Sequence, residues 1–193
     1  MEEKINSFHA KTRTSWRSWL KKNHQIKESV WLIIYKKQSK IPSIYYPEAV
    51  EEALCFGWID SLANKRDEIS YYQFFSKRKP KSNWSKVNKQ RVADLIEKGL
   101  MTAEGLKMVD LAKQSGTWIK LNEVDDIVLP EDLKKMFNKN KLAFRNWNRF
   151  AKSSQRVILG WILNAKRDET RQKRLKETVE LAERNIKAHH PKQ

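Results

Sequence analysis

The 193-residue sequence has little glycine, little proline and almost no cysteine: five Gly, five Pro and the single Cys55. So few turn formers argue against a many-turned β-barrel and for long helices with few strands. A lone cysteine excludes an intramolecular disulfide and a cysteine-based metal cluster, and it suits a reducing compartment. The glycines stand apart, so neither a P-loop nor a G-x-G-x-x-G turn occurs, and a G-x-S-x-G elbow is missing as well. No nucleotide cofactor is expected, nor any other. The histidines, His9, His24, His189 and His190, form no H-x-x-x-H pair, and all four are expected at the surface rather than on a metal. Long apolar runs are missing too. VWLIIY (30–35) falls far short of the roughly 20 residues of a membrane span. The opening MEEKINSFHA has no apolar stretch of the kind a signal peptide needs. A soluble, cytoplasmic protein is expected.

What the chain has instead is aromatic surface and positive charge. Eight Trp, seven Phe and five Tyr are more than a disordered chain leaves wet. The 39% apolar content suffices for one sizeable core, or for a main domain with a smaller appendage. The formal net charge is +17, and it is concentrated. The stretch YYQFFSKRKPKSNWSKVNKQR (71–91) carries seven Lys or Arg and no acid, and residues 141–193 carry fourteen bases against five acids. Such a charge can mean a nucleic-acid partner, an anionic membrane surface or mere solubility, and its focusing favours a partner, an anionic ligand or nucleic acid, over solubility.

Periodicity marks the elements. Trp16, Trp19 and Leu20 share one helical face, and VWLIIY reads as a buried strand. Pro47, with Glu48, Glu51 and Glu52, opens a helix that Gly57 ends. WIDSLANKRDEISYYQFF reads as a β-hairpin around the polar NKRDE. Ser82 or Ser85 caps a helix whose Val92, Leu95 and Ile96 face inward, and Thr102 caps the next. Residues 117–129 read as an acidic linker, and from Pro130 onward the chain reads as all helix. The expected fold is α+β: a small antiparallel sheet packed with helices over 1–116, the linker, and a helical C-terminal module over 130–193.

Three places invite chemistry. Cys55, inside ALCFGW, reads as core rather than nucleophile. Asp60 is an acid on a strand, either an edge charge or a carboxylate that orients a neighbouring arginine. The basic loop and helix start supply Arg78, Lys79, Lys81, Ser82, Trp84, Ser85, Asn88 and Arg91, which join cationic side chains to free helix N–H donors. That is an anion site in one reading. In another, these cations contact phosphates while an exposed Tyr or Trp84 stacks on bases. The second basic block, AKRDETRQKRL (165–175), places Arg167, Arg171 and Arg174 in one helical stripe, partly compensated by Asp168. No general base with its own orienting partner is legible, so a non-enzymatic role is expected; an enzyme using Asp60 with Arg78 is a third reading.

The runs ALCFGWIDS (53–61), FFSKRKPKSNWSKVNKQRV (74–92) and AKRDETRQKRL resemble the bacterial YdeI/OmpD-associated, or bacteriocin-protection, proteins. WRSWLKKNH (16–24) and VWLIIYKK (30–37) fit the same pattern, and residues from about 130 to 190 look like that family's helical module. Cys55, Gly57, Trp58, Ile59 and Asp60 fall on one family run, and Arg78, Ser82, Trp84, Ser85 and Asn88 on a second. Ala165, Lys166, Thr170, Arg171 and Arg174 fall on a third. Ser61 stands where that family often has Gly, and Lys77 where a Pro commonly precedes the Arg, which loosens the loop before Arg78. The resemblance implies a role in survival against bacteriocins or cationic peptides, an envelope-associated partner and no defined reaction.

Overall fold

The structure, a computed structural model, describes residues 6–189; His190 lies outside the described residues. The fold is α+β, in two compact units that divide between Ile119 and Lys120.

The first unit is built on a four-stranded sheet in the order β1 (Ser7–His9), β2 (Ser29–Tyr35), β4 (Ser70–Lys77), β3 (Trp58–Lys65). β2–β4 and β4–β3 pair antiparallel, and the hairpin is the expected one. The edge strand β1 adds a parallel pair with β2. Three residues are too few for a period-2 pattern to show, so β1 is not legible in the sequence. Alternation sends Val30, Leu32 and Ile34 of β2 and Phe75 of β4 to one face, where helices cover them. Trp16 and Leu20 come from α1 (Arg13–Asn23), and Ala49, Val50, Ala53 and Leu54 from α2 (Tyr46–Cys55). Val92 and Leu95 come from α3 (Lys86–Glu97), and Val109 and Ala112 from α4 (Ala103–Gln114). Ile96, expected inward, is about half exposed, because α3 lays a narrower apolar stripe on the core than its sequence offers. The opposite sheet face carries a second aromatic set, in which Trp31 meets Phe74 at 4.8 Å and Tyr72 at 6.1 Å between ring centres.

Two buried polar features tie this core together. Glu52, 2% exposed, takes a 2.6 Å hydrogen bond from Arg13 and another from Arg17, so α1 is clamped to α2 by a carboxylate between two guanidinium groups. Cys55 is fully buried and burial pushes its thiol up to about 11, which agrees with a packing role.

The second unit is helical: α5 (Asn122–Asp125), α6 (Glu131–Lys139), α7 (Lys141–Arg149), α8 (Lys152–Leu163) and α9 (Asp168–Glu183). Leu133, Phe137, Trp147, Ile158, Ile162 and Leu175 form its centre. Residues 117–129 are shared between the units: Trp118 packs on the first core and Val124 belongs to the second. Among the described residues no helix is long and apolar enough to cross a membrane.

Candidate ligand cleft

The site begins with the way α2 ends. Gly57 leaves the helix at φ +71°, a left-handed turn that glycine adopts without strain, and the chain enters β3 at Trp58. α4 closes tightly over this turn. Thr102 caps α4 through the Gly105 N–H and gives its own hydroxyl to the Cys55 carbonyl at 2.7 Å. The contact is so close that a Cβ on Gly105 would lie 2.3 Å from the Cys55 carbonyl oxygen. Glu104, Lys107 and Met108 are thereby held beside Gly57.

The opposite wall comes from the end of β4. The Arg78 N–H donates to the Gly57 carbonyl at 2.9 Å, which carries the ladder one residue past the strand. Lys77 bonds Glu28 at 2.7 Å and the Gln25 carbonyl at 2.9 Å, so the end of β4 is anchored where the sequence suggested a looser loop. His24, at the end of α1, takes the Trp58 indole N–H on its carbonyl at 3.3 Å. Together these elements enclose a cleft of about 320 Å³ with apolar walls of Phe56, Trp58 and Met108.

Arg78 is the unusual member of this lining. It is 5% exposed, with its guanidinium carbon 3.5 Å from the centre of the Trp84 ring. Nη2 donates to the Asn83 carbonyl at 2.6 Å, whereas Nε and Nη1, both buried, make no hydrogen bond among the described residues. Burial pulls its pKa down to about 10, opposed by the Asp60 carboxylate, so it remains a cation at neutral pH. A buried charge supported by one carbonyl and one aromatic face is incompletely compensated, and an opposite charge in the cleft would relieve it.

The other residues singled out in the sequence are distributed around this centre rather than in it. Asp60 accepts a 2.6 Å hydrogen bond from the Tyr46 hydroxyl, and burial together with that bond raises the phenol well above its ordinary range. Trp84 is 2% exposed and packs on Trp118 at 5.0 Å, so it is unavailable for base stacking and serves instead as the platform under Arg78. Ser85 is the cap of α3, its hydroxyl taking the Asn88 N–H at 3.3 Å, and Asn88 in turn accepts from Arg91 at 2.9 Å. Ser82 donates to the Lys79 carbonyl and closes a turn that leaves Lys79 and Lys81 at the surface. In the second unit Arg171 makes paired hydrogen bonds of 2.8 and 3.1 Å to Asp132. Arg174 bonds the Trp161 carbonyl and lies over the Trp161 ring. Two of the three arginines in the expected stripe are thus engaged within the helical fold.

Sequence reasoning missed His24, Glu104, Lys107 and Met108. His24 was expected at the surface; its side chain is 11% exposed and its Nδ1 lies 2.9 Å from the Leu20 carbonyl. His9, also expected outside, is half-buried, with Nε2 2.9 Å from the Pro42 carbonyl. A histidine one turn after Leu20, directly behind an amphipathic helix, was the available signal.

Residues 8–108, more than half of the chain, match the family described as Domain of unknown function (DUF8412). The chain belongs to this family. Every residue lining the cleft falls within that segment. A second family, described as Bacteriocin-protection, YdeI or OmpD-Associated, matches residues 126–185, that is, the helical unit. The resemblance expected along nearly the whole chain is therefore carried by the second unit, while the runs at 53–61 and 74–92 lie in the first family's segment. No curated protein and no solved structure matches the chain.

Proposed function

We propose that this protein is an anion-binding protein in which Arg78 receives a small anionic ligand. The observation that carries the reading is Arg78, a residue of the cleft lining whose buried guanidinium stacks on Trp84 and whose Nε and Nη1 have no partner among the described residues. Charge is worth most where water is excluded, so an anion there gains more than it would at exposed Lys79 or Lys81. The family description of the helical unit supports a cellular role in protection against bacteriocins or cationic peptides. A chain of net charge +17 repels such peptides, so the protection acts through the anionic ligand rather than by capturing the peptide.

Trp58 in the wall provides the readout. Intrinsic fluorescence is titrated with short-chain carboxylates and inorganic phosphate, and in parallel with a mixed-sequence oligonucleotide. Saturable binding of a small anion that Arg78→Met abolishes supports the reading. Steeply salt-dependent oligonucleotide binding that survives Arg78→Met, with no response to small anions, assigns the basic segment to nucleic acid instead.

A further inference from the structure

The same cleft holds a second group without a partner, and it is of the opposite kind to Arg78. His24 Nδ1 lies 2.9 Å from the Leu20 carbonyl, which can only accept, so Nδ1 carries the proton. In the neutral ring Nε2 is then a bare acceptor; it is buried and makes no hydrogen bond among the described residues. Its neighbour across the cleft is another acceptor, Glu104 Oε2 at 3.8 Å. Glu104 is held ionised below the usual carboxylate range by its own backbone N–H, by Gln25 and by Thr102. Two acceptors 3.8 Å apart have no room for an atom between them, but a single donor seated to one side reaches both at hydrogen-bond distance, and leaving a buried acceptor unpaired is costly.

Resting on the Arg78 reading, we infer that the ligand is a small zwitterion: an amino carboxylate whose carboxylate is drawn by Arg78. Its ammonium group bridges His24 Nε2 and Glu104 Oε2, and its apolar side chain lies against Phe56 and Met108. A simple carboxylate satisfies Arg78 but meets the Glu104 charge in the same cleft. An amine satisfies Glu104 but meets Arg78. A molecule carrying both signs matches both, and charge-assisted hydrogen bonds to each make the pair selective. The volume, about 320 Å³, lies at the small end of ligand sites and suits a molecule of amino-acid size.

The test is isothermal calorimetry of the full chain with free leucine and phenylalanine, their N-acetyl derivatives and their carboxamides. The free amino acids are expected to bind, and either modification to weaken binding by about tenfold or more. Glu104→Gln is expected to weaken the free amino acids and to erase their preference over the N-acetyl forms. If the N-acetyl compounds bind as well as the free amines, no ammonium is held by His24 and Glu104; the zwitterion inference is then overturned while Arg78 keeps its anion. If carboxylates of neither kind bind, the anion site itself is withdrawn. Both overturning outcomes are read on the native protein, so neither depends on how well Glu104→Gln folds.

Discussion

The guanidinium carbon of Arg78 lies 3.5 Å from the centre of the Trp84 ring, and among the described residues no carboxylate makes an ion pair with it. An aromatic face and one carbonyl stand where a buried arginine would ordinarily find an acid. Such a group opposes folding, because its charge has left water without full repayment. Arg78→Met, of similar reach and without charge, is therefore expected to leave stability unchanged or to raise it by about 1–2 kcal/mol, while anion binding is lost. Urea unfolding and calorimetry on one preparation check both halves. A variant that unfolds more easily would show Arg78 to be a structural residue.

Tyr46 and Asp60 are joined by a 2.6 Å hydrogen bond to a charged acceptor. Tyr46→Phe removes the donor and is expected to cost about 1.5–3 kcal/mol, seen as a lower urea midpoint. The phenol is raised above its ordinary value of 10.0 by burial and by Asp60. Its contribution is thus fully present below about pH 10 and fades as the pH rises toward the folded value. Absorbance at 295 nm during an alkaline titration should show a tyrosine that resists ionisation, and Tyr46→Phe should remove it.

In the helical unit, Asp132 is partly buried, which would raise its carboxyl, but the hydrogen bonds from Arg171 and the Leu133 N–H outweigh this and lower it. A lowered carboxyl stabilises the fold above its unfolded value of 3.8, and that stability is lost as the pH falls through the folded value. Arg171→Ala is expected to cost about 1 kcal/mol at neutral pH, since the pair is partly solvated. The gap between wild type and variant should close as the pH falls through the folded value. Acid unfolding followed by circular dichroism measures this, and a gap that persists in strong acid would show that lost packing, not charge, is responsible.

Gly105 and Gly57 should differ in their tolerance of alanine. A Cβ at Gly105 would stand 2.3 Å from the Cys55 carbonyl oxygen, whereas at Gly57 its nearest neighbour is the side chain of Met108, at 2.9 Å. Gly105→Ala forces α4 away from α2 and is expected to cost more than about 3 kcal/mol, an overpacking penalty against rigid backbone. Gly57→Ala carries the left-handed strain of about 1–2 kcal/mol and narrows the cleft. Thermal melts should rank Gly105→Ala well below Gly57→Ala.

Much of the fold was legible along the chain because it depends on short-range periodicity. Trp16 and Leu20 recur at helical spacing, VWLIIY is too short and too β-branched for a helix, and Ser85, Thr102 and Pro130 announce helix starts. Arg78, Trp84 and Asp60 were also legible as candidates, because charge and aromatics crowd one segment. Their roles were not. Whether a tryptophan faces water or lies under a guanidinium depends on which surface the chain folds over it, and Trp118, 34 positions away, covers part of Trp84.

Short-range pattern alone sets the α+β class, most of the elements and the concentration of charge, since each follows from neighbours within a few turns of chain; β1 (Ser7–His9) and α5 (Asn122–Asp125), inside the expected linker, are the exceptions. Which residues meet in the cleft was decided by the tertiary structure. His24, Gly57, Arg78 and Glu104 come from four separate segments, and the tight seating of α4 on the end of α2 brings them to one cleft. It also decided which cations are already engaged. Arg171 looks like Arg78 in the sequence, yet Asp132 lies opposite the one and, among the described residues, no carboxylate pairs with the other. That distinction is set by three-dimensional packing, because the energy of a buried charge depends on what surrounds it.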